Sequence, residues 1–387
     1  MRSRWKELDS TTLLRNRIED LSQSPPLSPV AGALRDHVEF LVQVRAAGSD
    51  QIQQVERCSQ ATLNAIDQLP PTEHITDRFF FDACLIQSIA TEWRDTGIPI
   101  PSMVYPKYDE DWSYRRVILT AVTDGRAPAV DVVGFHGSSD LVDVDLLEYA
   151  WLLHELGHSG FCANHGIFLE ATAGVVDDAV ARMRARGIAQ SSVARHRSRE
   201  IADEMAEKWN GQASQNGWAI EIVADLLGVW AAGPAYLDSF LHHLHRDSVN
   251  PFQIDRDHPP YAVRTPIVAE AGRRLGWSEV ADQMEGVTAE WKRDQSHNWL
   301  RCHELCDRSI VESLISRLLE VFDQHGMPRC SNDSLAVARD HAHASASVEF
   351  GTQLVIDAYV AHCDLPIEEF RVWHAEVIDG LGAQVMR

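Results

Sequence analysis

Apolar residues recur at three- and four-residue spacing along most of the chain, the period of helices that bury one face. Breaks at Gly, Pro, Asn and Asp clusters divide the pattern into expected helices at 10–21, 30–46, 50–67, 78–95, 143–160, 166–186, 190–210, 216–231, 234–245, 259–275, 278–294, 300–324, 333–344, 347–362 and 367–380. One stretch departs from this period. After a Pro- and Tyr-rich segment at 98–114, residues 116–123 and 129–135 form two β-branched runs around Asp124-Gly125-Arg126, which reads as a hairpin. The pattern therefore predicts a mainly α protein with one small β-hairpin or sheet just before the helix at 143–160. No repeat period emerges, which disfavours a regular solenoid.

Composition narrows the function classes. The chain has 387 residues, enough for two or three domains at roughly 150 residues each. Lys and Arg number 35 against 57 Asp and Glu, a formal net charge of −22. Phosphate backbones and anionic lipid surfaces repel such a chain, so neither nucleic acid nor a membrane surface is an expected partner. The first residues are basic but contain no apolar stretch of signal-peptide length. Glu7, Asp9, Glu19 and Asp20 also argue against an organellar transit peptide and for an amphipathic first helix. No apolar run approaches the ~18 residues of a spanning helix. The most apolar segments, 146–153 and 218–232, carry Glu148 in one and Glu221 and Asp225 in the other. Seven scattered cysteines read as reduced thiols, and the cytoplasm is the expected compartment.

The segment 151–160 contains the pattern HExxH, with His154, Glu155 and His158. Four residues of helix turn through about 400°, so His154 and His158 project from one face, one turn apart. Two neutral imidazoles placed this way can share a tetrahedral zinc ion, and Glu155 beside it can take a proton from the water that zinc activates. Asp143 or Asp145 can cap the start of this helix, and Leu146, Tyr149, Ala150 and Leu153 give it a buried stripe. Gly157 allows a strand or a substrate to approach closely.

A catalytic zinc needs a third protein ligand. At 218–228, Glu221 and Asp225 stand one helical turn apart in otherwise apolar surroundings, where two carboxylates are costly unless something positive receives them. Ligation by Glu221 resolves that cost, and Asp225 can accept a hydrogen bond from the far nitrogen of a ligating histidine. Further along, His258 precedes Pro259-Pro260 and Arg264 follows on the next helix. His258 and Arg264 can stabilise the oxyanion of a tetrahedral intermediate or hold a ligating carboxylate.

This series, HExxH, then ExxxD, then His-Pro with a following Arg, resembles the gluzincin metallopeptidases, in particular the soluble relatives of the CAAX prenyl proteases. The resemblance covers roughly residues 116–275. It implies Zn²⁺ held by His154, His158 and Glu221, with Glu155 as general base and Asp225 orienting a ligand. It also implies that His258 and Arg264 assist the transition state. It further implies an α+β zincin-like core at 98–275, flanked by helical regions at 1–97 and 276–387. An edge strand at 116–135 would bind an extended peptide. The membrane-spanning helices of the prenyl-protease branch have no counterpart, and the flanking regions match no known pattern.

The expected activity is that of a soluble zinc endopeptidase acting on a protein or peptide, with the terminal helical regions available to a regulatory partner. Two alternatives stand beside it: a non-enzymatic zinc-binding sensor, and a zinc amidohydrolase for a small amide. Other clusters read as structure. Cys302-His303-Glu304-Leu305-Cys306 and Cys162 read as buried thiols, His242-His243-Leu244-His245 as a solvated helix end, and the tryptophans as core.

Overall fold

The computed structural model describes residues 10–24, 27–47, 52–69, 75–99, 104–109, 112–118, 129–137, 140–141, 144–188, 192–210, 217–246, 250–254, 258–293, 297–306 and 308–385. The protein is mainly α with a small three-stranded sheet. Its described residues divide into two compact units. The first takes those within 1–87 and 101–144 together with 385; the second takes those within 88–100 and 145–384.

In the first unit, α1 (Ser10–Ser22), α2 (Ser28–Ala47) and α3 (Ile52–Ile66) pack on one another. Leu14, Ile18 and Leu21 of α1 and Val30, Leu34, Val38 and Leu41 of α2 recur at helical spacing and are buried. β1 (Val104–Asp109), β2 (Ser113–Ile118) and β3 (Ala129–His136) form the sheet, with β3 in the centre. β2 and β3 pair antiparallel from Ser113↔Gly134 to Ile118↔Ala129, as the two β-branched runs predict. The Asp124-Gly125 turn lies outside the described residues. β1 is an addition to the expected hairpin and pairs parallel with β3. Pro106 is tolerated there because β1 is an edge strand. Asp131 is buried in β3, directly opposite Arg116 of β2, and accepts two bonds from it at 2.8 and 2.9 Å. A second buried charge, Asp82 on α4 (Asp77–Glu92), accepts from the Tyr108 hydroxyl at 2.9 Å and pairs with Arg78 at 3.4 Å.

The second unit is helical. Its elements include α5 (Ala150–Ala163), α6 (His165–Ile188), α7 (Ser192–Asn210), α8 (Trp218–Ala232), α9 (Pro234–Arg246), α10 (Tyr261–Leu275) and α11 (Ser278–Arg293). They are followed by α12 (His297–Leu305), α13 (Arg308–Gln324), α14 (Asn332–Ala342), α15 (Thr352–Asp364) and α16 (Ile367–Val385). Every residue of α8 is buried, and α5, α7, α9, α10, α13 and α15 all pack against it. Trp209 and Trp230 close its two ends, their indole N–H groups donating to the carbonyls of Leu305 and Met327.

Two expected boundaries move. The helix read at 143–160 begins at Ala150, with residues 146–149 in a turn, and its N-cap Tyr149 makes no side-chain cap. Asp145 instead accepts from the Leu147 N–H within the preceding turn, while Asp143 lies outside the described residues. The helix read at 300–324 is two, α12 and α13; apolar spacing runs on across their junction, from Cys302 and Leu305 to Ile310 and Leu314, and gives no sign of the break. No disulfide joins the seven cysteines, and Cys302, Cys306 and Cys330 are buried. Among the described residues no helix is long and apolar enough to cross a membrane.

Gly351 enters α15 at φ +147°, and a Cβ there would run into Glu92 Oε1. The Glu92 carboxylate accepts the Thr352 N–H at 3.0 and 3.3 Å and so caps the helix. Gly351→Ala is expected to destabilise the protein by about 1–3 kcal/mol in urea denaturation, since that backbone region is essentially reserved for glycine. Gly380→Ala, on a helix where an added Cβ meets nothing, is expected to be neutral or stabilising.

Candidate metal centre

Three side chains from two helices converge inside the second unit. His154 and His158 lie one turn apart on α5, and Glu221 lies in the first turn of α8; all three are buried. His154 Nε2 and His158 Nε2 stand 3.1 Å apart. Glu221 Oε2 is 3.5 Å from His154 Nε2, and its Oε1 is 3.4 Å from His158 Nε2. Ligands about 2.0–2.1 Å from a tetrahedral zinc ion are separated from one another by roughly 3.3–3.4 Å. The two Glu221 distances end on different carboxylate oxygens; with one ligand atom from each residue, the three donors lie within 4.8 Å of one another, close enough to converge on one small cation. Among the described residues, this is the one group of three His, Cys, Asp or Glu side chains that meets this closely. The group can hold a metal ion.

The helix pairing that creates the triangle depends on Gly157. A Cβ at this position would lie 2.8 Å from the backbone Cα of Ala224, so only a glycine lets α5 cross α8 at this point. The sequence suggests a strand or substrate as the close neighbour. The neighbour is α8 itself, and the contact places Glu221 against the two histidines.

Behind the triangle lies a second layer of polar contacts. Asp225, fully buried, receives Arg264 Nε at 2.8 Å on Oδ2 and Arg264 Nη2 at 2.6 Å on Oδ1. Oδ1 also lies 3.0 Å from His154 Nδ1 and accepts the Tyr236 hydroxyl at 2.7 Å. A proton on His154 Nδ1, directed at Asp225, leaves the Nε2 lone pair facing the other two donors. Arg264 is buried, and its Nη1 lies 3.9 Å from Glu221 Oε2. Its placement is that of a group holding carboxylates in position. His258, by contrast, is exposed, with Nε2 3.7 Å from Glu221 Oε1. Its neighbour Asp257 lies outside the described residues. Glu155 is buried on the turn between the two histidines.

The protonation balance follows from this layout. Burial works against charge on His158, and positive His154 and Arg264 add to it, so its pKa falls to about 4. Burial also opposes charge on His154, but hydrogen bonds to Asp225 and Glu221 outweigh it and push the pKa up to about 10. Burial would raise the Glu221 carboxyl, yet the neighbouring His158, His154 and Arg264 bring it down to about 2. For Asp225, the Arg264 guanidinium overcomes burial and holds the carboxyl well below the usual range. The two acids are thus anions and His158 is a neutral donor; His154 gives up its Nε2 proton when a cation binds, since metal ligation requires both imidazoles neutral.

Tyr236 is invisible to motif reading. It lies in the first turn of α9, fully buried, and its ring rests where a Cβ on Gly228 would sit, 2.5 Å from the ring carbons. A glycine inside so apolar a helix is the sequence signal for such an approach. Of the clusters set aside earlier, Cys302 and Cys306 are buried and His303 is exposed. His243 faces the site region through Trp151 and Tyr261, whereas His242 and His245 are exposed.

Gly157→Ala is expected to part α5 from α8, destabilising the protein by about 1–3 kcal/mol and weakening divalent-metal binding, as read by thermal denaturation and metal titration. Gly160→Ala meets only Ile98 at 3.7 Å and is expected to be tolerated in both assays. Tyr236→Phe removes one donor to Asp225 and is expected to weaken metal binding about 10–100-fold by titration against a competing chelator. No protein-family model, no curated protein and no solved structure matches the chain.

Proposed function

We propose that the protein is a zinc-dependent endopeptidase of gluzincin type. The observation that carries this reading is the buried group of His154, His158 and Glu221, whose donor atoms lie within 4.8 Å of one another, with a buried Glu155 on the turn between the histidines. Two imidazoles and one carboxylate suit zinc among the common divalent ions, and three protein ligands leave a fourth position open. When bound there, zinc supplies a Lewis acid that polarises a carbonyl and lowers the pKa of water.

The chain's own groups do the rest. The Glu155 carboxylate takes a proton from the attacking water and later passes it to the departing amine nitrogen. Asp225 fixes the proton of His154 on Nδ1 and keeps the ring oriented. Arg264 neutralises Asp225, so Glu221 would be the one anionic member of the donor set that holds the ion. His258, exposed beside Glu221, is positioned to donate to an oxyanion at the mouth of the site.

Purified wild-type protein is expected to contain about one zinc ion per chain and to cleave peptides in a profile of newly formed N-termini from a lysate. Glu155→Gln is expected to keep its zinc and lose about 10²–10⁴-fold in hydrolysis. Undiminished cleavage by that variant, or a wild-type protein that binds no zinc, would overturn the proposal.

A further inference from the structure

On the side of α10 away from the metal centre, a cavity of about 420 Å³ opens between α10, α11, α12 and α13. α10 lends it Ala262, Val263, Pro266, Ala269, Glu270 and Arg273. At about 100° per residue these positions centre on the face opposite Arg264, which turns toward Asp225. Cys302 and Cys306, whose pairing has no part in the metal centre, line the same cavity. Burial pushes the Cys302 thiol up to about 11, so it stands there as a small apolar surface rather than as a thiolate.

Imperfect packing does not account for this space. Protein interiors hold few voids larger than one water molecule, whereas a cavity of this size falls in the range of small-molecule sites. Ala262, Val263, Ala269, Cys302 and Cys306 are buried and give it an apolar floor. Its rim is acidic, with Glu270, Glu285 and Glu312 beside the guanidinium of Arg273. That guanidinium is already engaged by Glu270 at 3.3 Å, Asp282 at 3.0 Å and Glu285 at 3.1 Å, and so is closed to an anionic ligand. Arg274 pairs with Glu270 at 2.9 Å. Four carboxylates thus share two guanidiniums, and negative charge is left in surplus at the mouth, where Glu285 and Glu312 are exposed.

A backbone acceptor adds to the pattern. Pro266 lies inside α10 and has no N–H, so the carbonyl of Ala262, four residues earlier, lacks the donor that a helix normally supplies. Both residues border the cavity, which puts this acceptor in its wall. The acids gather at the other end of α10, around Arg273 and Arg274, roughly two to three turns away.

We propose that this cavity binds a small organic cation, an amine carried on an elongated apolar body. The body covers the floor, the ammonium group meets Glu285 and Glu312, and an N–H at the far end of the body answers the Ala262 carbonyl. This site stands apart from the metal centre and does not depend on the peptidase reading.

The test uses the full chain and three indoles that differ only in their side-chain end: tryptamine, tryptophol and indole-3-acetate. By calorimetry at low salt, tryptamine is expected to bind about tenfold more tightly than tryptophol, and indole-3-acetate to give no binding. Added salt is expected to narrow the gap between the first two. Ala269→Phe, which fills the floor, is expected to abolish binding of both. Glu285→Gln combined with Glu312→Gln, at exposed positions that the fold tolerates, is expected to lower tryptamine to the level of tryptophol and to leave tryptophol unchanged. Equal affinity for the three indoles, a preference for indole-3-acetate, or no binding of tryptamine overturns the proposal. Tryptamine binding that survives the double glutamine variant overturns it as well, since the ligand then sits elsewhere.

Discussion

The charge of Asp225 is the constraint around which the second unit is arranged. It sits on a helix with no solvent-facing residue, where an uncompensated carboxylate costs several kcal/mol. A carboxylate offers about four acceptor sites, and four donors reach this one: Nε and Nη2 of Arg264, the Tyr236 hydroxyl and Nδ1 of His154. These donors belong to α10, α9 and α5, so one side chain ties three helices to α8. The arrangement that neutralises a buried anion is also the arrangement that aims His154.

Close backbone contact does the complementary work. Gly157 lets α5 approach α8, and Gly228 lets the Tyr236 ring lie against α8 from the other direction. Apolar packing supplies the adhesion, but the glycines set the distances.

What could be read from the sequence follows the reach of helical geometry. The relation of His154 to His158, and of Glu221 to Asp225, is contained within one turn of one helix, so spacing alone places each pair on a common face. The mainly α class and the β2–β3 pairing are legible for the same reason, each resting on local periodicity. That Glu221 meets the histidines is a tertiary fact, suggested only by the cost of its charge in apolar surroundings. Arg264 could be picked out as a candidate, but its target could not, because the bond to Asp225 spans 39 positions. Tyr236 carries no motif. β1 was missed because a short run containing Pro106 has no clear alternation and finds its parallel partner well downstream. The division between α12 and α13 was hidden by an apolar stripe that runs through the junction.

The sheet order β1-β3-β2 has a consequence for how the first unit comes together. The two strands that come first in the chain do not pair with each other; each waits for the third. During synthesis from the N-terminus, Val104–Asp109 and Ser113–Ile118 leave the ribosome with their backbone hydrogen-bonding groups unmatched, and remain so until Ala129–His136 follows. Neither of the first two strands can be zipped into this sheet until the last one is made. Until then the chain has two unpaired strands to protect, one of which carries a proline that blunts it against wrong partners.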